Sequence, residues 1–306
     1  MSCDHAHIDT LESFDQRVDP TGTATLRRRY AQKLRGAFDR LSAEINAGIR
    51  DSDVFGLQTD TLEPPNVALQ TDDEKIRQFM QWLNTQTDRG VLETIDRDDN
   101  PYVRSAYRRG LVDADQSLRD AGIEVGDVDL DEVFNQGVHE RTLQRLYTKN
   151  YENLKDVNGV MASQIRDELS RGLAEGINPN DMARNITDRV DKIGKTRATV
   201  LARTETIDAY SEATLNRYDN FGVTQVEVQA EWLTAGDNRV CPICINLEGN
   251  TWSIQEARTG SVRLTEDDVR EFVPANRSVD HLIGEFPIRP PAHAQCRCRL
   301  VANITN

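Results

Sequence analysis

Apolar residues recur at every third or fourth position over most of the first 220 residues, which is the period of an amphipathic helix. The clearest stretch covers residues 24–50, where a single apolar stripe contains Leu26, Tyr30, Leu34, Phe38, Leu41, Ile45 and Ile49. The same period predicts further helices at 76–83, 103–118, 139–175, 179–190 and 196–218. We therefore expect the N-terminal and central parts of the chain to be predominantly helical.

The period changes beyond residue 222. Val228, Ala230 and Trp232 alternate with polar residues, as does Val226 before them, and this two-residue repeat is typical of a half-buried strand. The closing sequence RCRLVANI, at 297–304, predicts a second short strand. The fold class that these patterns predict is α+β, with a small strand-containing C-terminal lobe after the helical part.

Two polar breaks suggest how the chain is organised. TDTLEPPNVALQTDD, at 59–73, and AGIEVGDVDLDE, at 121–132, lack helical periodicity and contain proline, glycine and acidic residues. We expect an N-terminal tail with an amphipathic helix at 1–57 and a linker with a helical region at 58–138. The helical part of the main domain should follow at 139–222, and a strand-containing lobe at 223–306.

Composition argues against several classes of protein. No run approaches the roughly 20 apolar residues of a transmembrane helix, and the N-terminus lacks the apolar stretch of a signal peptide. The net charge of −14 argues against general affinity for nucleic acid. Only six of the 37 basic residues are lysine, which suits either a salt-adapted host or a GC-rich genome.

Four of the five cysteines lie in two clusters near the C-terminus. Cys241 and Cys244 form CPIC, and His293, Cys296 and Cys298 form HAQCRC. Thiolate and imidazole ligands at such spacings suit a tetrahedral zinc ion, which takes four protein ligands, so we expect four of these five residues to bind Zn²⁺. The alternatives are a pair of disulfides or unconnected buried cysteines.

A closed set of four ligands indicates a structural site, whereas a catalytic site would keep a position open for water. Asp237 and Arg239, just before the first cluster, are expected to brace the thiolates. Arg203 and Glu205 are expected to fix their helix against the metal-binding lobe, and we expect no catalytic residue. For a catalytic zinc, Glu248 would be the nearest candidate base.

The chain resembles the phage Mu protein F-like head morphogenesis family. The resemblance rests on LARTET at 201–206, EWLTAGDNRVCPIC at 231–244, LEGNTW at 247–252 and PPAHAQCRCRLV at 290–301. Together these elements extend over about residues 140–301. The chain departs from the family at Ala294, where a proline is usual, and in a long insertion at 261–286.

The resemblance implies a minor head protein of a tailed virus, associated with the portal vertex and acting in head assembly, DNA packaging or DNA delivery. The portal protein is the expected partner, and the major capsid protein and packaged DNA are further candidates. No membrane and no small-molecule substrate are expected. The protein is expected in the head interior near the portal, and in the host cytoplasm during assembly. Together with the acidic, lysine-poor composition, the resemblance suggests a virus of a haloarchaeon.

Two other functions compete with this one. Some members of the family carry effector enzymes such as ADP-ribosyltransferases, but helices and the metal-binding lobe account for the whole chain here. A zinc-containing DNA-binding protein would need a basic stripe near the cysteines, yet acidic residues outnumber arginines from 231 to 290. We therefore expect a non-enzymatic assembly protein.

Overall fold

The computed structural model of the protein describes residues 19–50, 71–125, 136–222 and 228–304. In this part of the chain, five helices are long: α1 (Ala24–Arg50), α2 (Asp72–Gly90), α3 (Pro101–Asp120), α4 (Gly137–Glu175) and α5 (Pro179–Gly222). Three short helices follow: α6 (Pro242–Leu247), α7 (Ile254–Thr259) and α8 (Glu266–Arg270). Across these ranges, no helix is both long and apolar enough to cross a membrane.

Five strands lie in the C-terminal part: β1 (Val228–Leu233), β2 (Thr251–Ser253), β3 (Ser261–Leu264), β4 (Gly284–Pro287) and β5 (Arg299–Ile304). Strand β1 is the centre of an antiparallel sheet with the order β2-β1-β5, and β3 pairs with β4 in a separate antiparallel ribbon. The predominantly helical fold with a small β-containing C-terminal region is therefore confirmed.

The described residues fall into two compact units, and the ranges given below refer only to the described residues within them. The first comprises Met1–Arg28, Asn100–Leu146 and Ala202–Asn306, and its strands cover a core of buried side chains that includes Trp232, Ile243 and Leu300. In β1, Val228, Ala230 and Trp232 are buried, as the alternation predicts, whereas Val226 lies outside the described residues. A close approach of α3 to α5 excludes any side chain at position 110, because a Cβ on Gly110 would overlap the carbonyl oxygen of Tyr210.

The second unit comprises Arg29–Asp99 and Tyr147–Leu201. The apolar stripe of α1 is buried here from Tyr30 to Ile49. The hydroxyl of Tyr30 donates a hydrogen bond of 2.6 Å to Asn150 Oδ1 on α4, which satisfies a polar group within this core.

One sequence expectation needs correction. The helices predicted at 179–190 and 196–218 form one continuous helix, α5. Gly194, between them, lies within the helix, and its missing side chain leaves room for Phe38, whose Cβ lies 2.6 Å from where a Cβ on Gly194 would be. The insertion at 261–286, for which the sequence predicts no particular structure, forms the β3–β4 ribbon with α8 between its strands.

Candidate metal centre

The first pair of candidate ligands lies at the start of α6, after the loop that follows β1. Cys241 is the N-cap of α6, Pro242 occupies the first helical position, where its missing N–H costs no hydrogen bond, and Cys244 follows within the first turn. The spacing of three residues on this turn brings both thiols to one side. The sequence predicts a cysteine turn after the strand, and the structure adds that this turn is the start of a short helix.

The five predicted ligands meet in the structure as two overlapping groups of three. Cys241, Cys244 and His293 form one group, and Cys244, Cys296 and Cys298 form the other. Within each group, all ligand atoms lie within 4.8 Å of one another. Cys244 belongs to both groups and is therefore the centre of the cluster.

The four thiols are buried and form no disulfide. Cys241 is 5% exposed and the other three are 2% exposed. Cys244 Sγ and Cys296 Sγ are 3.9 Å apart, which is a non-bonded distance rather than the ~2 Å of a disulfide. The cavity among these residues is about 10 Å³, so it holds nothing larger than a single small species.

His293 has the orientation that a metal ligand requires. Its Nδ1 lies 2.7 Å from the carbonyl oxygen of Ala294, so Nδ1–H donates to this carbonyl. Nε2 then faces the thiols and lies 3.0 Å from Cys241 Sγ and 3.0 Å from Cys244 Sγ. A cation at this point, whether a proton or a metal ion, would be stabilised by both sulfur atoms.

The pKa values of the cluster follow from this arrangement. Burial alone would lower the pKa of His293, but the hydrogen bond to Cys241 and the negative charge of Cys296 raise it to about 9. Burial would raise the pKa of Cys296, but hydrogen bonds from Cys244 and Cys298, together with the charge of His293, hold it well below its usual value. The hydrogen bond to Cys241 raises the pKa of Cys244, and burial raises that of Cys298, so the cluster without metal pairs one imidazolium with one thiolate. A metal ion would have to displace the protons of the other thiols in order to bind.

Asp237 reaches the second cluster through an arginine. Its carboxylate accepts hydrogen bonds from both terminal nitrogens of Arg297, which stands between Cys296 and Cys298, and also from the side chain and backbone of Arg239. Burial alone would raise the pKa of Asp237, but these hydrogen bonds hold it well below its usual range. The sequence does not indicate this role of Arg297, because the residue only separates two candidate ligands there.

Arg203 also contacts the ligand loop. Its Nη1 donates to the carbonyl oxygen and to Oε1 of Gln295, at 3.3 and 3.1 Å. Burial, and then the charges of Arg27, Arg297 and Arg239, lower the pKa of Arg203 to about 10. Glu205, its neighbour on α5, is only 2% exposed.

A second cluster of buried charges lies on α5. Arg289 donates a hydrogen bond of 2.6 Å to Asp208 and another to Glu212. Arg258 donates to Glu212 and to Asn216. Asp208 and Glu212 stand one helical turn apart and are 2% and 9% exposed at the side chain. Sequence reasoning missed this cluster, although two carboxylates four residues apart on an apolar helix face could have indicated it.

The candidate base for a catalytic zinc has another role. Glu248 belongs to neither group of ligands, and its Oε2 accepts a hydrogen bond of 2.5 Å from the backbone N–H of Thr234. Among the residues that the structure describes, neither group contains a carboxylate. The arrangement of buried thiols with one imidazole therefore suits a closed site for a metal ion.

The motif-bearing half of the chain also has a match among known families. Residues 163–301 match the family described as Phage Mu protein F like protein. The match supports this family, and phage head morphogenesis is the role that the family suggests. All five candidate ligands lie in the Mu F-like segment, as do Asp237 and Arg297. Searches of curated proteins and of solved structures gave no significant match.

Proposed function

We propose that this protein is a minor head protein of a tailed virus that acts at the portal vertex, in head assembly, DNA packaging or DNA delivery. The match of residues 163–301 to the Mu F-like family carries the proposal. The proposed partner is the portal protein, with the major capsid protein and packaged DNA as further contacts. The protein would reside in the head interior near the portal, and the proposed role is structural rather than enzymatic.

The metal ion that we propose for the C-terminal lobe is Zn²⁺. Tetrahedral zinc accepts thiolate and imidazole ligands, which are the only ligand types in the two groups, and soft thiolates disfavour magnesium and calcium. Cys241, Cys244 and two of His293, Cys296 and Cys298 would hold it. The ion would stabilise the lobe by joining the start of α6 to the segment before β5, and it would take no part in a reaction.

Metal analysis tests the zinc site. We expect about one equivalent of zinc per chain in protein purified without chelator, measured by inductively coupled plasma mass spectrometry. Cys241→Ser should reduce the zinc content and lower the melting temperature. Protein that contains no zinc and keeps the melting temperature of the wild type after Cys241→Ser would contradict the structural role.

Co-purification tests the virion role. The protein should be present in purified virions and should associate with the portal protein of the same virus when the two are expressed together. An unrelated portal protein is the control for non-specific adhesion. Absence from virions, or equal recovery with both portal proteins, would refute the proposal.

The same virus is proposed to infect a haloarchaeon. The net charge of −14 and the small number of lysines support this source, because negative surface charge keeps proteins soluble when salt screens electrostatic repulsion. Thermal unfolding in potassium chloride tests it: the melting temperature should rise toward salt concentrations on the order of 1 M. A fall over this range would point instead to codon bias as the origin of the arginines.

A further inference from the structure

The basic residues of this acidic protein are unevenly distributed. The second compact unit, which comprises Arg29–Asp99 and Tyr147–Leu201, contains every lysine of the chain: Lys33, Lys75, Lys149, Lys155, Lys192 and Lys195. The metal-binding lobe has none. The lysines therefore concentrate their positive charge in the second unit.

Helix α1 presents a row of cations in that unit. Arg29, Lys33, Gly36 and Arg40 follow one another at steps of four, three and four residues, so they share one face of the helix. All three basic side chains are exposed. At 1.5 Å per residue the row is about 16 Å long.

Lys33, Gly36 and Arg40 of this row form one wall of an open cleft of about 550 Å³, and Arg29 extends the row beyond it. The end of α2 and the turn after it supply the other wall, with Arg89, Gly90 and Thr94. Glu93 is the one acidic residue among those that line the cleft, against the three cations Lys33, Arg40 and Arg89. The cleft is therefore locally cationic within a chain of net charge −14.

The cleft is also accessible, because its glycines leave space. A Cβ on Gly36 would meet nothing closer than Arg40 Nη1, at 3.7 Å, and a Cβ on Gly90 would meet no atom within 4 Å. Within the described ranges, neither Arg40 nor Arg89 has an ion pair. Their guanidinium groups can therefore bind an anion without first breaking a salt bridge.

We propose that this cationic cleft binds the phosphate backbone of DNA. Arginine and lysine supply most phosphate contacts in protein–DNA complexes, and a row of about 16 Å spans roughly five base-pair steps of 3.4 Å. The net negative charge does not prevent this, because salt screens charges beyond about 8 Å at an ionic strength of 0.15 M and beyond about 3 Å at 1 M, so that mainly the contacting groups interact. The inference deepens the proposed head function, on which it rests only for the source of the DNA.

Direct binding to purified full-length protein tests the cleft. The probe is a fluorescent 20-base-pair duplex of arbitrary sequence, and the readout is fluorescence anisotropy at several salt concentrations. The test variant combines Lys33→Gln, Arg40→Gln and Arg89→Gln. Glutamine keeps the helix propensity of the residues that it replaces.

A second triple variant provides a matched control: Arg77→Gln, Lys155→Gln and Arg184→Gln. These residues are exposed, lie on helices of the same unit and pair with acids three residues earlier, outside the cleft. The control thus removes the same charge from the same unit. Circular dichroism checks that both variants are folded.

The wild type should bind the duplex, and the cleft variant should bind at least about tenfold more weakly while the control changes by less than about twofold. The slope of log affinity against log salt should fall by about 2.7 in the cleft variant, which is the loss of three phosphate contacts. No binding by the wild type, or an equal loss in both variants, would overturn the proposal.

Gly36→Glu provides an independent check that does not remove any native side chain. The substitution should raise helix stability, because glycine is a poor helix former, yet it should weaken DNA binding by placing an acid in the cleft. Gly159→Glu, at an open position of α4, is its control and should leave binding unchanged. If polyglutamate displaces the duplex at equal charge concentration, the cleft is a site for acidic polymers in general, and the proposal of DNA fails. Because these tests need no portal protein, their outcome is separate from that of the virion role.

Discussion

Arg297, which separates Cys296 from Cys298, donates from both terminal nitrogens to the carboxylate of Asp237, and one of these hydrogen bonds measures 2.7 Å. This bidentate pair connects the turn before α6 to the second cysteine cluster. Because a bidentate pair fixes distance and orientation together, it holds the backbone from which two of the candidate ligands project.

Asp237→Asn should therefore loosen the metal centre. We expect about a tenfold or greater loss of zinc affinity and a fall of about 2 kcal/mol in the free energy of unfolding, since a charge-assisted pair is replaced by a neutral one. Competition with a chromophoric chelator and urea denaturation measure the two effects. Asp267→Asn, at an exposed position of α8, is the control and should change neither by much.

The same pair predicts a dependence on acid. The pKa of Asp237 in the folded protein lies below its ordinary value near 4, so the carboxylate contributes stability above that pH and loses it as the pH falls further. The wild type should lose this contribution below about pH 4, whereas Asp237→Asn should not. Parallel pH curves for the two proteins would contradict this origin of the stability.

Cys244 should be the most sensitive ligand position. Its Sγ is the one ligand atom that both groups of three share. Cys244→Ala therefore leaves, among the described residues, no three ligand atoms within 4.8 Å of one another. His293→Ala and Cys298→Ala each leave one group intact. We expect zinc content near zero for Cys244→Ala and measurable zinc for the other two, and equal retention in all three variants would show that the cluster binds metal in another way.

The buried charges on α5 should make Arg289 important for stability. Arg289→Met leaves Asp208 and Glu212 buried with less compensation, and we expect a loss of about 3–5 kcal/mol in the free energy of unfolding. Arg270→Met removes a more exposed pair with Glu266 and should cost less than about 1 kcal/mol. Denaturant titrations of the two variants give the comparison, and similar small effects would mean that Arg289 adds little.

His139 should make the first unit sensitive to mild acid. The side chain is fully buried, and Tyr107 Oη lies 2.7 Å from its Nδ1. Burial, and then the charge of Arg217, lower its pKa, so the unfolded chain takes up a proton more readily than the folded one.

Stability should accordingly fall as the pH drops below about 6.5, the ordinary pKa of histidine. Urea denaturation between pH 7.5 and pH 5 measures the change, and His139→Gln should flatten it. His281→Gln, at an exposed position, is the matched control and should keep the slope of the wild type. A wild type whose stability does not change over this range would contradict the prediction.

Much of the fold could be predicted because its signals are local. The stripe of α1 and the alternation of β1 follow directly from the periods of helix and strand. The continuity of α5 could not be predicted in this way, because Gly194 is tolerated through its contact with Phe38, about 150 residues away in the sequence.

The candidate site divides along the same line. Cys241, Cys244 and His293 could be predicted to lie together because close spacing and residue type indicate candidate metal ligands without knowledge of the fold. Arg297 and Arg289 were not, because their roles depend on carboxylates 60 and 77 residues away. A charged residue in an acidic chain has many possible partners, and only the folded structure selects one.

The β3–β4 ribbon offers a practical handle on this protein. Its segment at 274–277 is exposed, and it lies between the two cysteine clusters, whose contact through Cys241 and His293 holds the ends of the intervening chain together. Lengthening a loop whose ends are already held costs only about 0.6 kcal/mol for each doubling. An epitope or a fluorescent label inserted there would allow the proposed location in the viral head to be observed directly.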